Sequence, residues 1–156
     1  MQLSALQWVF VANIVFQGPA GLTLDGKGRI AMPSRHREVL SAMGVSQLTI
    51  TKHPEGALMI FPRPAWETFR ERVAALPMEA AGWKRIFLGN AMDVEIDASS
   101  RVLIAPELRA AAGLTRDVML LGMGSHFELW DATRYAEHEA RVMQSPMPEA
   151  LKSFSF

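Results

Sequence analysis

Apolar and polar positions alternate in short bursts along most of the chain, and the bursts come in pairs. Residues 21–24, 29–32, 48–51 and 58–61 read as strands, each bounded by glycine, proline or a charged turn. Asp25-Gly26-Lys27-Gly28 and His53-Pro54-Glu55-Gly56 are the turns that join them, because glycine accepts the positive φ that tight hairpins demand. Pro33 ends the second strand, Ser34 is placed to cap a helix over 35–43, and Gly44 stops it. The apolar period then lengthens. Trp66, Phe69, Val73 and Leu76 fall on one face of a helix predicted over 65–76.

The same order of elements comes again. Strands are predicted at 94–96 and 101–104, then a short helix at 107–112 stopped by Gly113. Strands at 117–121 and 127–131 follow, around a Gly122-Met123-Gly124-Ser125 turn, and a last helix begins near Thr133. Tyr135, His138 and Val142 share a face of that helix. The two runs align residue for residue at their starts: Asp25-Gly-Lys-Gly-Arg29-Ile-Ala-Met-Pro33 lies over Asp97-Ala-Ser-Ser-Arg101-Val-Leu-Ile-Ala105. Arg37 falls on Arg109 at the same offset. Further on Phe61 meets Trp130, Trp66 meets Tyr135, and Arg72-Val73 meets Arg141-Val142. Internal repetition of this kind sets the architecture. Two four-stranded halves, each too small to hide its own faces, are expected to merge into one core. Closure would remove their exposed edges. The predicted fold is mainly β with short helices, an α+β chain forming a pseudo-twofold β-barrel from two copies. The expected division is an extension at 1–14, a first repeat at 19–64, a helical connector at 65–90, a second repeat at 91–134, and a last helix with a loose or disordered tail at 135–156. Within the connector, 78–88 reads as helix and Gly89 as its stop.

Composition narrows the chemistry. A chain of 156 residues holds one domain or two small ones. It has no cysteine, which excludes disulfides, thiolate zinc sites and iron–sulfur clusters and is compatible with a reducing cytosol. Sixteen basic residues balance sixteen acidic ones, so no overall charge advertises a nucleic-acid partner. The balance hides an asymmetry: 15–92 carries ten basic and six acidic residues, and 93–156 carries six basic and ten acidic. Halves of opposite sign imply that charge is used locally or between subunits. The most apolar run, 8–16, is too short to span a bilayer, which needs about 20 residues. Met1–Gln7 lack the basic residues of a secretory signal.

Most candidate motifs read better as structure. Gly21-Leu-Thr-Leu-Asp-Gly26-Lys27-Gly28 nearly matches a phosphate-binding loop, but Gly28 replaces the required hydroxyl and a strand follows where a helix should. Gly122-Met-Gly124 lacks the third glycine of a dinucleotide fingerprint. His126 and Glu128 fall short of a metal site, and His138 sits on an apolar helix face. No nucleophile elbow or triad is evident, so no enzyme, cofactor or metal is expected. Asp25 and Asp97 each precede a turn, where a carboxylate can accept backbone N–H bonds or pair with the arginine four residues on. Arg29 and Arg101 open strands directly after those turns, and their guanidinium groups are expected to project from the barrel rim. Lys27 and Arg35 add charge near the first copy. Such a cluster can grip phosphates and read guanine edges. Ser99 and Ser100 stand where the first copy has Lys27 and Gly28.

Val15-Phe-Gln-Gly18 followed by Leu22-Thr-Leu-Asp25-Gly-Lys27-Gly-Arg29-Ile-Ala-Met-Pro33-Ser-Arg35-His-Arg37-Glu38 resembles the opening of the MraZ family, bacterial transcriptional regulators of the division and cell wall gene cluster. Leu88-Gly-Asn-Ala91, Arg101-Val-Leu-Ile-Ala-Pro106-Glu-Leu-Arg109, Ala112-Gly-Leu-Thr115 and Phe127-Glu-Leu-Trp130-Asp131 resemble its second half. The resemblance runs from about Val15 to Arg141. It implies two AbrB-like (SpoVT-AbrB) swapped-hairpin modules, a ring-shaped homo-oligomer, and a cytoplasmic, nucleoid-associated protein with no membrane partner. It also implies binding to double-stranded promoter DNA at short direct repeats and repression of its own operon. The family's DNA-contact hairpin, Asp-x-x-x-Arg, carries over to Lys27 and Arg29 and to Arg101, with Asp25, Gly28 and Asp97 as its structural residues. The family's usual Met-Phe opening falls on Val15-Phe16. A GTG codon reads as valine inside a frame and methionine at a start, so translation is expected to begin at Val15. The competing expectation is an oligomeric protein-binding scaffold without DNA binding.

Overall fold

The computed structural model describes residues 15–155; the predicted extension 1–14 lies outside them. In the first repeat, strands β1 (Phe16–Thr23) and β2 (Arg29–Ala31) flank the Asp25–Gly28 turn, and helix α1 (Ser34–Ala42) follows. Strands β3 (Gln47–Lys52) and β4 (Leu58–Pro62) lead into helix α2 (Arg63–Ala74). A 3-10 turn (Met78–Ala80) and helix α3 (Ala81–Gly89) make the connector. The second repeat runs β5 (Met92–Glu95), β6 (Arg101–Leu103), α4 (Pro106–Ala111), β7 (Asp117–Gly124), β8 (Phe127–Asp131) and α5 (Ala132–Gln144). A short helix α6 (Glu149–Lys152) lies in the tail that was expected to be loose or disordered, and its residues are exposed.

The repeats interlock. Six strands form one antiparallel sheet in the order β1-β7-β8-β4-β3-β5, and β2 pairs with β6 in a separate two-stranded ladder. Exchanging each strand for its repeat counterpart reverses that order onto itself, so a pseudo-twofold axis passes between β4 and β8. The first strand of each repeat pairs with the third strand of the other: β1 with β7, and β5 with β3. The ladders thus leave β1 and β5 at the two ends of the sheet. Among the described residues no pairing joins them, and the closed barrel is not found.

Buried side chains of the two repeats form one shared core. Ile30 from β2, Val102 from β6 and Ile104 beyond it are fully buried against Leu48, Ile50, Leu58, Ile60, Leu120 and Leu129 of the large sheet. Leu40 of α1 and Leu108 of α4 close the sides. Burying a leucine or isoleucine side chain contributes about 1.5–3 kcal/mol, and the cluster draws such residues from both repeats. A second cluster lies on the other face, where Met59, Phe61 and Trp66 pack with Phe69, Phe87 and Leu88 of α2 and α3. The second repeat has no counterpart of α3. Val142 of α5 is therefore exposed, while its repeat equivalent Val73 is buried. Leu76, predicted on the apolar face of α2, falls past the helix end and is largely exposed.

Three local expectations change. Pro33, not Ser34, is the residue before α1, and no side chain caps that helix; Pro33 has no N–H and its extended backbone stops the strand directly before the first turn of helix. Gly122 and Gly124 are part of β7 rather than a turn, and the reversal falls at Ser125-His126. A Cβ on Gly122 would come within 2.3 Å of the Gln17 backbone nitrogen, so the glycine permits β1 to approach. Gly89 ends inside α3, with Asn90 closing it.

Candidate nucleic-acid interface

The two Asp-x-x-x-Arg hairpins have nearly the same construction. In the first, the Gly28 N–H donates to the Asp25 carbonyl (3.0 Å) and the Asp25 N–H donates to the Arg29 carbonyl (2.9 Å). Asp25 Oδ1 accepts from the N–H groups of Lys27 and Arg29, each at 2.9 Å. Arg29 Nε donates to Asp25 Oδ2 at 2.7 Å. The second hairpin repeats this: Asp97 Oδ1 accepts from Ser99 and Arg101 N–H at 2.9 and 2.8 Å, and Arg101 Nε donates to Oδ2 at 3.1 Å. Each aspartate therefore does both things expected of it. The backbone N–H of Arg29, more than its guanidinium, holds the Asp25 carboxyl down at about 2. The backbone N–H of Arg101 likewise holds Asp97 below the ordinary carboxylate range. Exposed pairs of this kind contribute little to stability. Their effect is orientation: Nε of each arginine is tied to its own aspartate, which fixes the guanidinium beside the turn.

The β2–β6 ladder then brings the hairpins together. Arg29 pairs with Leu103, Ile30 with Val102, and Ala31 with Arg101. Side chains directly opposite in a ladder share a face, and successive ones alternate. Ile30 and Val102 point into the core, which leaves Arg29, Ala31, Arg101 and Leu103 on the outer face. Arg29 and Arg101 are diagonal neighbours there, with Cα atoms roughly 7–8 Å apart. Two further bonds lock the turns across the repeats: Met32 N–H donates to the Ser100 carbonyl and Ile104 N–H to the Gly28 carbonyl, both at 2.9 Å.

The remaining predicted cations are placed differently. Lys27 is exposed at the first turn, and among the described residues its ammonium group has no partner. Arg35 Nη2 donates to the Pro19 carbonyl at 2.8 Å, which ties α1 to β1 and fixes part of that guanidinium. Sequence reasoning missed the outer-face residues Ala31 and Leu103, because only pairing between repeats defines that face. It also gave Arg109 no role at the first hairpin. The guanidinium of Arg109 lies where a side chain on Gly28 would begin, with Nη1 1.5 Å from the ideal Cβ position. The only signal for it was its alignment with Arg37.

Three of the four histidines, His53, His126 and His138, gather around Glu128 and Trp130 apart from the hairpins. Glu128 Oε2 pairs with His53 Nε2 at 3.1 Å, and Glu128 Oε1 accepts from Trp130 Nε1 at 2.9 Å. Burial pushes the Glu128 carboxyl up, but the bonds from His53 and Trp130 outweigh it and the net direction is down. His126 lies in the turn, stacks on Phe61 and is pulled down by burial. His138 packs on Trp130 and Nε2 meets Glu55 Oε2 at 2.8 Å. Among the described residues no group of three or more His, Asp or Glu could hold a metal ion, and no helix is long and apolar enough to cross a membrane.

The family described as "MraZ protein, putative antitoxin-like" matches residues 15–85 and 87–152. A protein of Methylibium petroleiphilum named transcriptional regulator MraZ is 70% identical over 146 residues, covering 94% of this chain and 100% of that protein. Proteins of the same name from Leptothrix cholodnii and Ralstonia pickettii are 65% and 66% identical, covering 94% and 91% of this chain and 100% of each relative. With both repeats matched and the relatives covered end to end, this chain belongs to the MraZ family of proteins named as transcriptional regulators.

Proposed function

We propose that this protein is a sequence-specific DNA-binding transcriptional regulator that represses its own division and cell wall operon through direct repeats in the promoter. The observation that carries this reading is the shared outer face of β2 and β6. A two-stranded ribbon fits the major groove of B-DNA. Arg29 and Arg101, each held by its aspartate, would meet guanine edges or phosphates there. Ala31 and the exposed Leu103 offer apolar contact suited to thymine methyl groups. Lys27 supplies a phosphate contact at the first turn, and Arg35 does so through its remaining donors. Asp25, Gly28 and Asp97 shape the hairpins and touch no base. The working unit of DNA recognition is then the pair of AbrB-like swapped hairpins, one from 19–64 and one from 91–134. A cytoplasmic, nucleoid-associated location follows from this role, and the chemistry is binding rather than catalysis.

A subunit with no net charge binds DNA weakly by itself, and the remedy is assembly. The exposed Val142, Met143, Trp83 and Met78 lie on the helices outside the sheet, where a second copy would cover them. A ring-shaped oligomer would present several ribbons to evenly spaced repeats, and the first contact raises the effective concentration for the next. The test is a mobility-shift titration with the duplex immediately upstream of this protein's gene, carrying one, two or three direct repeats, beside a scrambled duplex. Affinity is expected to climb steeply with repeat number. Equal retention of scrambled and upstream DNA by a folded oligomer would sink the reading and favour a protein-binding scaffold.

A further inference from the structure

Arg109 sits on α4 of the second repeat, yet its guanidinium rests on the turn of the first hairpin. An ideal Cβ at Gly28 would stand 1.5 Å from Nη1 and 2.4 Å from Cζ. Only a residue without a side chain leaves that place open. Gly28 is buried under the group, and its φ of +82° also suits glycine alone. Among the described residues the guanidinium has no carboxylate and no hydrogen-bond acceptor. It is half-buried over Gly28, the residue after Lys27 in the turn; the exposed Lys27 ammonium is likewise unpartnered, and Asp25 is already engaged by Arg29. A guanidinium that has given up part of its water and has no acceptor gains most from an anion with several oxygens.

The other hairpin is the internal comparison. Arg37 occupies the place of Arg109 and Ser100 that of Gly28. Ser100 has a Cβ, and Arg37 remains exposed, lining an open cleft of about 330 Å³ with Leu40, Gly44, Ile96 and Ser100. Two hairpins alike in their aspartate and arginine therefore differ in burial: Gly28 is buried under a half-buried Arg109, whereas Ser100 is half-buried and Arg37 exposed.

We infer that Arg109 is a DNA-phosphate contact of the first hairpin, delivered across the repeat boundary and seated by Gly28, so that the first hairpin holds a Lys27–Arg109 phosphate clamp that the second lacks. This rests on the DNA-binding reading above. A phosphate contact contributes equally on any sequence and releases counterions, so its loss shows in the salt dependence.

The experiment follows binding of the full chain by fluorescence anisotropy, on the upstream duplex and on a scrambled duplex, across a salt series. Arg109→Ala is expected to weaken both duplexes by a similar factor. It should also lower the slope of log K against log salt by about one per engaged subunit, while Arg109→Lys keeps most of the slope. Arg37→Ala is expected to change the slope less. A folded Arg109→Ala protein with the wild-type slope overturns the inference while leaving the DNA-binding reading intact. Failure of the wild-type protein to bind either duplex overturns both. A second measurement needs no variant: phenylglyoxal modification of the wild-type protein, mapped by mass spectrometry with and without the upstream duplex. DNA is expected to protect Arg109, and equal modification in both conditions overturns the inference even if Arg109→Ala does not fold.

Discussion

Gly28 and Ser100 occupy the same place in the two hairpins and share a left-handed backbone, with φ of +82° and +61°. Each closes its turn by donating its N–H to the aspartate carbonyl three residues back. For an L-residue this region costs about 1–2 kcal/mol, and for glycine it costs nothing comparable. Ser100→Gly is expected to leave the fold unchanged and to stabilise it by up to about 1 kcal/mol, after the extra unfolded-state entropy of glycine is subtracted. Gly28→Ala is expected to destabilise by about 1–2 kcal/mol through strain at its positive φ, and to push the flexible end of Arg109 off the turn. Urea unfolding at fixed protein concentration measures both. A Ser100→Gly protein less stable than wild type would contradict the assignment of strain.

Arg29 and Arg101 share one face but differ in company. Lys27 stands beside the first, and the second has Ser99 and Ser100 in its turn. Arg29→Ala should therefore weaken binding to the upstream duplex more than Arg101→Ala. A lost base-edge contact corresponds to about 1–3 kcal/mol per ribbon. Parallel titrations that return the reverse order would refute the unequal roles.

His36 lies buried between Phe16 and Phe127, and its Nε2 has no hydrogen-bond partner. Burial, reinforced by the charge of Arg35, lowers its pKa from the ordinary value of 6.5. The folded state thus takes up a proton later than the unfolded state. Stability attached to this residue is complete above pH 6.5 and is lost as pH falls toward the lowered value. Thermal unfolding between pH 7.5 and 5 should show that decline, and His36→Leu should reduce its slope. His126, lowered in the same direction, accounts for part of what remains. An unchanged slope in His36→Leu would remove His36 as a source.

Glu128 is the shared acceptor of Trp130 and His53 on the buried seam between β8 and β4. Glu128→Ala leaves the indole N–H without its acceptor, and a buried donor so stranded costs about 1–3 kcal/mol. Glu128→Gln keeps one carbonyl oxygen and should lose less. Denaturation midpoints for the two variants measure the difference, and equal losses would mean that the bond to Trp130 contributes nothing separable.

Periodicity and turn chemistry are local properties, so the sequence alone determined most of the elements. The strands at 48–51, 58–61 and 127–131, the Asp-Gly-Lys-Gly turn, and the helix carrying Trp66, Phe69 and Val73 all follow from side-chain spacing and from glycine at positive φ. Repetition of Asp-x-x-x-Arg was equally legible, because alignment at a constant offset needs no coordinates. Tertiary structure decided everything that depends on which copy pairs with which. The ladder β2–β6 joins residues far apart in sequence, and only that pairing turns Ile30 and Val102 inward and sets Arg29 and Arg101 side by side outside. The same holds for Gly122, whose missing side chain matters only because β1 crosses it, and for Arg109, which serves a turn in the other repeat. A sequence carries the period of each element, but the register between distant elements is chosen by what they bury together.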